Sequence, residues 1–135
     1  MVLVLLCLKM RYQGIETIGL KEGNIRLSFV YFFTVGLVEE VLFRGYLQTR
    51  LHSLLKHILL DVLVTGVLFV LMHFPFRMVA YDMSFWEIIS NVRYIADLFI
   101  THLILAYIRI KSDSLYGAIL PHWVSDFAYR IVIHI

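Results

Sequence analysis

Cysteine is nearly missing from this sequence: Cys7 is the only one in 135 residues, which excludes an intrachain disulfide and a cysteine-rich metal cluster. Charge is scarce too. Lysine, arginine, aspartate and glutamate make up 16% of the chain, against about 25% in an ordinary soluble domain. The formal net charge of +2, with no basic stripe, is too mild for a nucleic-acid surface, so no nucleic-acid partner is expected. There is no internal repeat and no low-complexity tract. What the chain has in abundance is apolar side chains, at 61% of residues and a mean hydropathy of +0.83. That balance argues against a water-soluble fold and, at this length, for a single membrane domain.

A helix needs about 20 mostly apolar residues to cross the hydrocarbon core. Four segments read as spans: 25–43, 58–74, 94–108, and from Tyr116 to the C-terminus. Pro75 falls just beyond the second, where a proline suits a helix end. Tyr94 and Tyr107 are placed as interfacial anchors of the third. Residues 44–57 put Leu47, Leu51, Leu54 and Leu55 on one face, the pattern of an amphipathic helix lying along the interface rather than crossing it. Residues 76–91 mix aromatic and charged side chains and suit an interfacial cap, and 109–115 read as a polar turn. The expected fold is all-α, a polytopic, integral multi-pass membrane helical bundle spanning 25–135. It is preceded in 1–24 by a partial apolar segment and a glycine-bearing loop, with 1–8 reading as the tail end of a missing helix. Lysines and arginines fall on both sides, which leaves orientation open.

Ionised groups deep in a bilayer cost about 2.5–3.5 kcal/mol each on insertion scales, so they persist where they pair or work. Glu39 and Glu40 follow an unbroken apolar run, and Arg44 stands four residues after Glu40, at the spacing of a helical ion pair. One glutamate is thereby held while the other stays free to act as a general base. Phe69 and His73 sit one turn apart at the end of the second span. His122 and Asp126 repeat that spacing in the last, directly after Pro121, whose missing N–H frees a carbonyl nearby. Water held between a carboxylate and an imidazole is a hydrolytic nucleophile, and a second imidazole can stabilise the oxyanion that forms.

The order Glu39-Glu40-x-x-x-Arg44, Phe69-x-x-x-His73, His122-x-x-x-Asp126, each motif on an expected span, resembles the three signature motifs of the CPBP family of intramembrane proteases. This is also called the CAAX protease or abortive-infection family, and it includes the type II CAAX prenyl endopeptidases and the bacteriocin-immunity proteins. Gly45 and Tyr46 suit its Arg-Gly-aromatic continuation. The resemblance runs from about residue 25 to the C-terminus. It implies a helical bundle around a conical cavity open to the bilayer, cutting a membrane-associated or prenylated peptide near the membrane surface. By the same resemblance Glu39 activates water with His73, Glu40 and Arg44 shape the site, and His122 with Asp126 supports the oxyanion. Two departures stand out. The family often has Asn at the place of Asp126, and an ionised carboxylate cannot donate a hydrogen bond to an oxyanion, so Asp126 orienting His122 or holding metal are the alternatives. The chain is also short for the family, which leaves a minimal form, a fragment, or a self-associating homo-oligomer.

Glu39, His73, His122 and Asp126 are also zinc ligands by residue type, although no HExxH helix is present. A metal-free glutamate mechanism is favoured, because a carboxylate acting as base is poorly placed to ligate as well. Plainer readings compete at single residues: an interfacial ion pair for Glu40 and Arg44, an interfacial His73, and a salt bridge of Asp126 with Arg130. A solvated pair is expected of His57 with Asp61, packing or polar contacts of Asp97 and His102, and interfacial positions of His52 and His134. The rival functions are a non-catalytic immunity or binding protein and a proton or cation carrier.

Overall fold

In the computed structural model residues 18–20 and 25–134 are described, with side chains for Arg26 and residues 28–128. The expectations for Cys7, for segment 1–8 and for the Arg130 side chain lie outside these residues. The described residues are almost entirely helical. Helix α1 (Ile25–Glu40) passes without interruption into a π-helical stretch (Val41–Leu47) and on into α2 (Gln48–Leu55). Glu40, Leu47 and Gln48 all keep right-handed helical backbone angles, and the Gln48 N–H reaches five residues back to the Phe43 carbonyl. The path ends at Lys56, whose φ of 51° is left-handed and whose N–H closes on the His52 carbonyl.

This corrects the reading of a span ending at Phe43 and a separate interfacial helix after it. Arg44 is not at a boundary but is buried inside the π-helical stretch. The leucine face stays outward, with Leu54 and Leu55 exposed and Leu47 and Leu51 half-buried, while Gln48 is buried. The physical reason is that Arg44 and Gln48 find the polar interior, and the leucines are left on the outside.

Helix α3 (Ile58–Tyr81) has 24 residues, about 36 Å of helix, which exceeds a hydrocarbon core of about 30 Å. It runs through Pro75 instead of stopping before it. A proline removes one backbone bond, and membrane helices tolerate that loss where neighbouring groups compensate. Here the helix beyond Pro75 is held by Phe74, buried against Phe85 with ring centres 5.8 Å apart. Asp82, at φ 51°, ends it.

The short α4 (Phe85–Ser90) starts with a capping box in which Ser84 and Glu87 exchange hydrogen bonds. Helix α5 (Val92–Ser112) extends four residues past the expected end at Ile108, so the polar turn shrinks to the residues around Asp113. Helix α6 (Tyr116–Ile131) contains Pro121. The all-α class holds, but α6 stops short of the expected run to the C-terminus: Val132–His134 forms a strand, β2, pairing antiparallel with β1 (Ile18–Leu20), where the sequence reads as loop. The β-branched pair Val132 and Ile133 favours the extended form.

Packing sorts side chains in a sense opposite to a soluble protein. The fully buried large side chains include Arg44, Glu40, His102, Asp61 and Thr65, whereas Leu59, Leu63, Leu68, Leu71 and Val79 are exposed. Among the described residues α3 is the one helix long and apolar enough, by length and composition, to cross a membrane.

Candidate active site

The register of α1 against α6 is set by aromatic packing. Trp123 donates its indole N–H to the Phe29 carbonyl (3.1 Å), and its ring meets Phe29 and Phe33 edge-on at 4.5 and 5.7 Å. Gly36 admits the close approach, since a Cβ there would lie 3.4 Å from the Trp123 backbone nitrogen. With Trp123 fixed, the preceding residue, His122, faces the end of α1.

Glu40 is the most enclosed carboxylate of this region, with a fully buried side chain. Its Oε1 accepts from Arg44 Nη1 at 2.8 Å and from His122 Nδ1 at 2.7 Å. Arg44 also donates from Nη2 to the His102 carbonyl at 3.4 Å, which ties α5 into the pair. The adjacent Glu39 is different. Its side chain keeps 17% of its exposure, and its Oε2 stands 3.8 Å from His122 Nε2. Asp126 Oδ2 lies 3.4 Å from the same nitrogen. One imidazole is therefore held by Glu40 on one side and faces two carboxylates on the other. The ion pair weighed for Glu40 and Arg44 is made, with both side chains buried.

Phe69 occupies the centre. It is 1% exposed, and its ring lies 4.8 Å from the Arg44 guanidinium carbon and 5.2 Å from the Phe43 ring. The rings of His73, His102 and His122 surround it at 4.8, 5.6 and 6.3 Å. The Phe69-x-x-x-His73 spacing does more than put two rings on one face. The Phe69 carbonyl lies 2.8 Å from His73 Nδ1. A carbonyl can only accept, so Nδ1 carries the hydrogen and the Nε2 lone pair is left for a proton donor such as water. The same reasoning puts the hydrogen of His102 on Nε2, which faces the Val62 carbonyl at 3.0 Å.

Compared with known proteins, the type II CAAX prenyl endopeptidase Rce1-like family model matches residues 21–128. The chain belongs to this family. It is a CPBP-family member, and the family's proteins are membrane-integral proteases. No curated protein and no solved structure matches the chain.

Family motifs and geometry meet at the same place: Glu39, Glu40, Arg44, His122 and Asp126 form one network, and His73 joins it across the Phe69 ring. Three features were not read from the sequence. His102 is fully buried and its carbonyl accepts from Arg44, a specific tie between helices that the expected packing or polar contacts left unnamed. Asp61 is paired not with His57 but with His52, at 2.6 Å, and is 1% exposed instead of solvated, while His57 caps α3 by accepting from the Leu60 N–H. Glycine 66 was the available signal for His102: a Cβ there would fall 2.9 Å from the His102 ring, so α3 and α5 can meet only at a glycine. Among the described residues no three His, Cys, Asp or Glu side chains stand as a metal-holding group.

Proposed function

We propose that this chain is an intramembrane endopeptidase of four spans, formed by α1 with its π-helical continuation, α3, α5 and α6. It hydrolyses a peptide bond near the membrane surface in a prenylated or otherwise membrane-bound substrate, with water activated by Glu39 and His73. The observation that carries this reading is the asymmetry of the two adjacent glutamates. Glu40 is saturated on one oxygen by Arg44 and His122, whereas Glu39 has no closer ion-pair partner than 3.8 Å among the described residues and remains partly open. An open carboxylate beside an imidazole with a free Nε2 lone pair can position a water and take its proton. The inverted sorting of polar and apolar side chains supports a lipid-facing exterior.

In this mechanism water attacks the scissile carbonyl carbon as Glu39 accepts its proton. The oxyanion takes a hydrogen bond from His122 Nε2–H, the far nitrogen being anchored on Glu40. Collapse of the tetrahedral intermediate breaks the C–N bond, and the proton held by Glu39 passes to the leaving amine. Asp126 acts through His122: its Oδ2, 3.4 Å from Nε2, orients the ring before substrate binds and yields the Nε2–H to the oxyanion. With Glu39 acting as the base, its carboxylate is not available as a metal ligand.

The test is cleavage of a quenched prenylated peptide by purified protein in detergent, comparing wild type with Glu39→Ala and His73→Ala. Each substitution is expected to lower kcat by about 10²–10⁴-fold, the usual worth of a general base. Equal cleavage by all three proteins sinks the proposal. Chelator treatment with metal analysis addresses the cofactor: full activity without bound metal is expected, and one tightly held zinc per active chain would overturn the metal-free reading.

A further inference from the structure

A second polar feature leads away from this site. Glu40, Arg44, Gln48 and His52 recur every four residues along the path from α1 to α2, and Asp61, Thr65, Phe69 and His73 do the same on α3. Two contacts fix these rows antiparallel: Arg44 lies over Phe69 at 4.8 Å, and His52 Nδ1 meets Asp61 Oδ2 at 2.6 Å. That register sets Gln48 opposite Thr65, between them. The π-helical stretch helps, because a turn wider than the α-helix's 3.6 residues keeps positions four apart on one line.

The seam so formed is buried yet incompletely paired. Gln48 is 7% exposed, Asp61 1% and Thr65 not at all. Glu40 Oε2, Arg44 Nε, Gln48 Oε1, Asp61 Oδ1 and His102 Nδ1 are buried and have no hydrogen-bond partner among the described residues. Each orphan costs about 1–3 kcal/mol, and more where charge is involved. Five along one seam amount to a polar lining, and buried polar linings of this kind are satisfied by internal water. One end of the row opens outward, since the His52 side chain keeps 56% of its exposure, and the other end is Glu40, which holds His122.

We propose that this seam holds a chain of internal waters connecting the surface at His52 and Asp61 with the Glu40–His122 pair. Hydrolysis consumes one water per peptide bond, and the seam supplies it from the side of α2 and α3. That use in turnover rests on the peptidase reading, whereas the hydration of the seam does not.

The experiment is X-ray radiolytic hydroxyl labelling of the full chain in detergent, read by mass spectrometry with water itself as the probe. His102, fully buried, is expected to be oxidised several-fold faster, after correction for intrinsic reactivity, than Phe74, which is 6% exposed in an apolar cluster. In Gln48→Leu/Thr65→Val the His102 labelling is expected to fall about tenfold, as removal of the polar partners expels the water, with Trp86 labelling unchanged. Thr65→Val alone gives the same contrast in a shape-conserving background if the double variant does not fold, and Thr65→Ser should keep the labelling. A silent His102 in wild type, or equal labelling in the variants, overturns the hydrated seam. An inert protein with labelled His102 contradicts the peptidase reading and leaves the seam standing; an active protein with silent His102 does the reverse. In an active protein kcat is expected to fall about tenfold in the double variant at unchanged KM, and an unchanged kcat overturns the supply role.

Discussion

Phe69 and Val70 are neighbours on α3 and face two different interiors. Val70 belongs to an apolar cluster with Phe74 and Ile88, joined by Met83, Tyr94, Ile95, Leu98 and Phe99. Phe69 is ringed by a guanidinium and three imidazoles. In a protein whose exterior is already apolar, burying a leucine between helices gains little over leaving it in lipid, so association rests on close packing and polar pairing. The first interior can therefore exchange one hydrocarbon shape for another, whereas the second has named partners at every edge. The contrast teaches that the apolar cluster holds α4 and α5 to α3, and the polar ring decides which residues of α1 and α6 meet.

Substitutions can break that contrast, and the largest effect is expected at Glu40. Glu40→Ala strands Arg44 and His122 and should cost about 3–5 kcal/mol, the usual loss when one partner of a buried pair is removed. Thermal unfolding in detergent reads it, and an unchanged midpoint would mean that the polar ring does not specify the fold. Ile88→Ala, in the other interior, should cost about 2–4 kcal/mol as a cavity in a packed cluster, with peptide cleavage by the remaining folded protein unaltered. Gly66→Ala comes next. Its Cβ would fall 2.7 Å from Phe99 and 2.9 Å from His102, and overpacking of this kind costs about 1–3 kcal/mol. Because Phe99 belongs to one interior and His102 to the other, this variant should loosen both together.

The smallest effect is at α4. Ser84→Ala removes one half of its capping box, worth about 1 kcal/mol of local stability, and is checked by faster hydrogen exchange at the Glu87 amide. Hydrogen bonds from the Ser84 backbone and then its side chain hold the Glu87 carboxyl below its ordinary value. A group with a depressed folded pKa stabilises above its unfolded value and loses that contribution as pH falls through the folded one. The cap should thus be intact at neutral pH and weaken only on acidification below the ordinary glutamate range, as amide exchange against pH would register.

Much of the site was legible because each motif is local. The four-residue spacings Glu40–Arg44, Phe69–His73 and His122–Asp126 are fixed by the helix itself, and the structure brings all three together. Partners that depend on the register between helices were not legible: Asp61 was assigned to His57, the α3 cap four residues before it, when His52 on α2 was the partner. Helix ends failed at Pro75, because a membrane helix can lose one backbone bond without ending, and at Arg44, because a π-helical turn leaves no mark in hydropathy. The strand pair β1–β2 joins residues far apart in sequence, beyond the reach of any local pattern.

The measurement that bears most directly on the division of labour between adjacent glutamates is a paired determination of kcat and unfolding midpoint for Glu39→Gln and Glu40→Gln. Glu39→Gln is expected to keep the wild-type midpoint while losing at least about 10²-fold in kcat, and Glu40→Gln to lower the midpoint. If Glu39→Gln instead unfolds early and Glu40→Gln abolishes turnover with the fold intact, the assignment of base and anchor is contradicted.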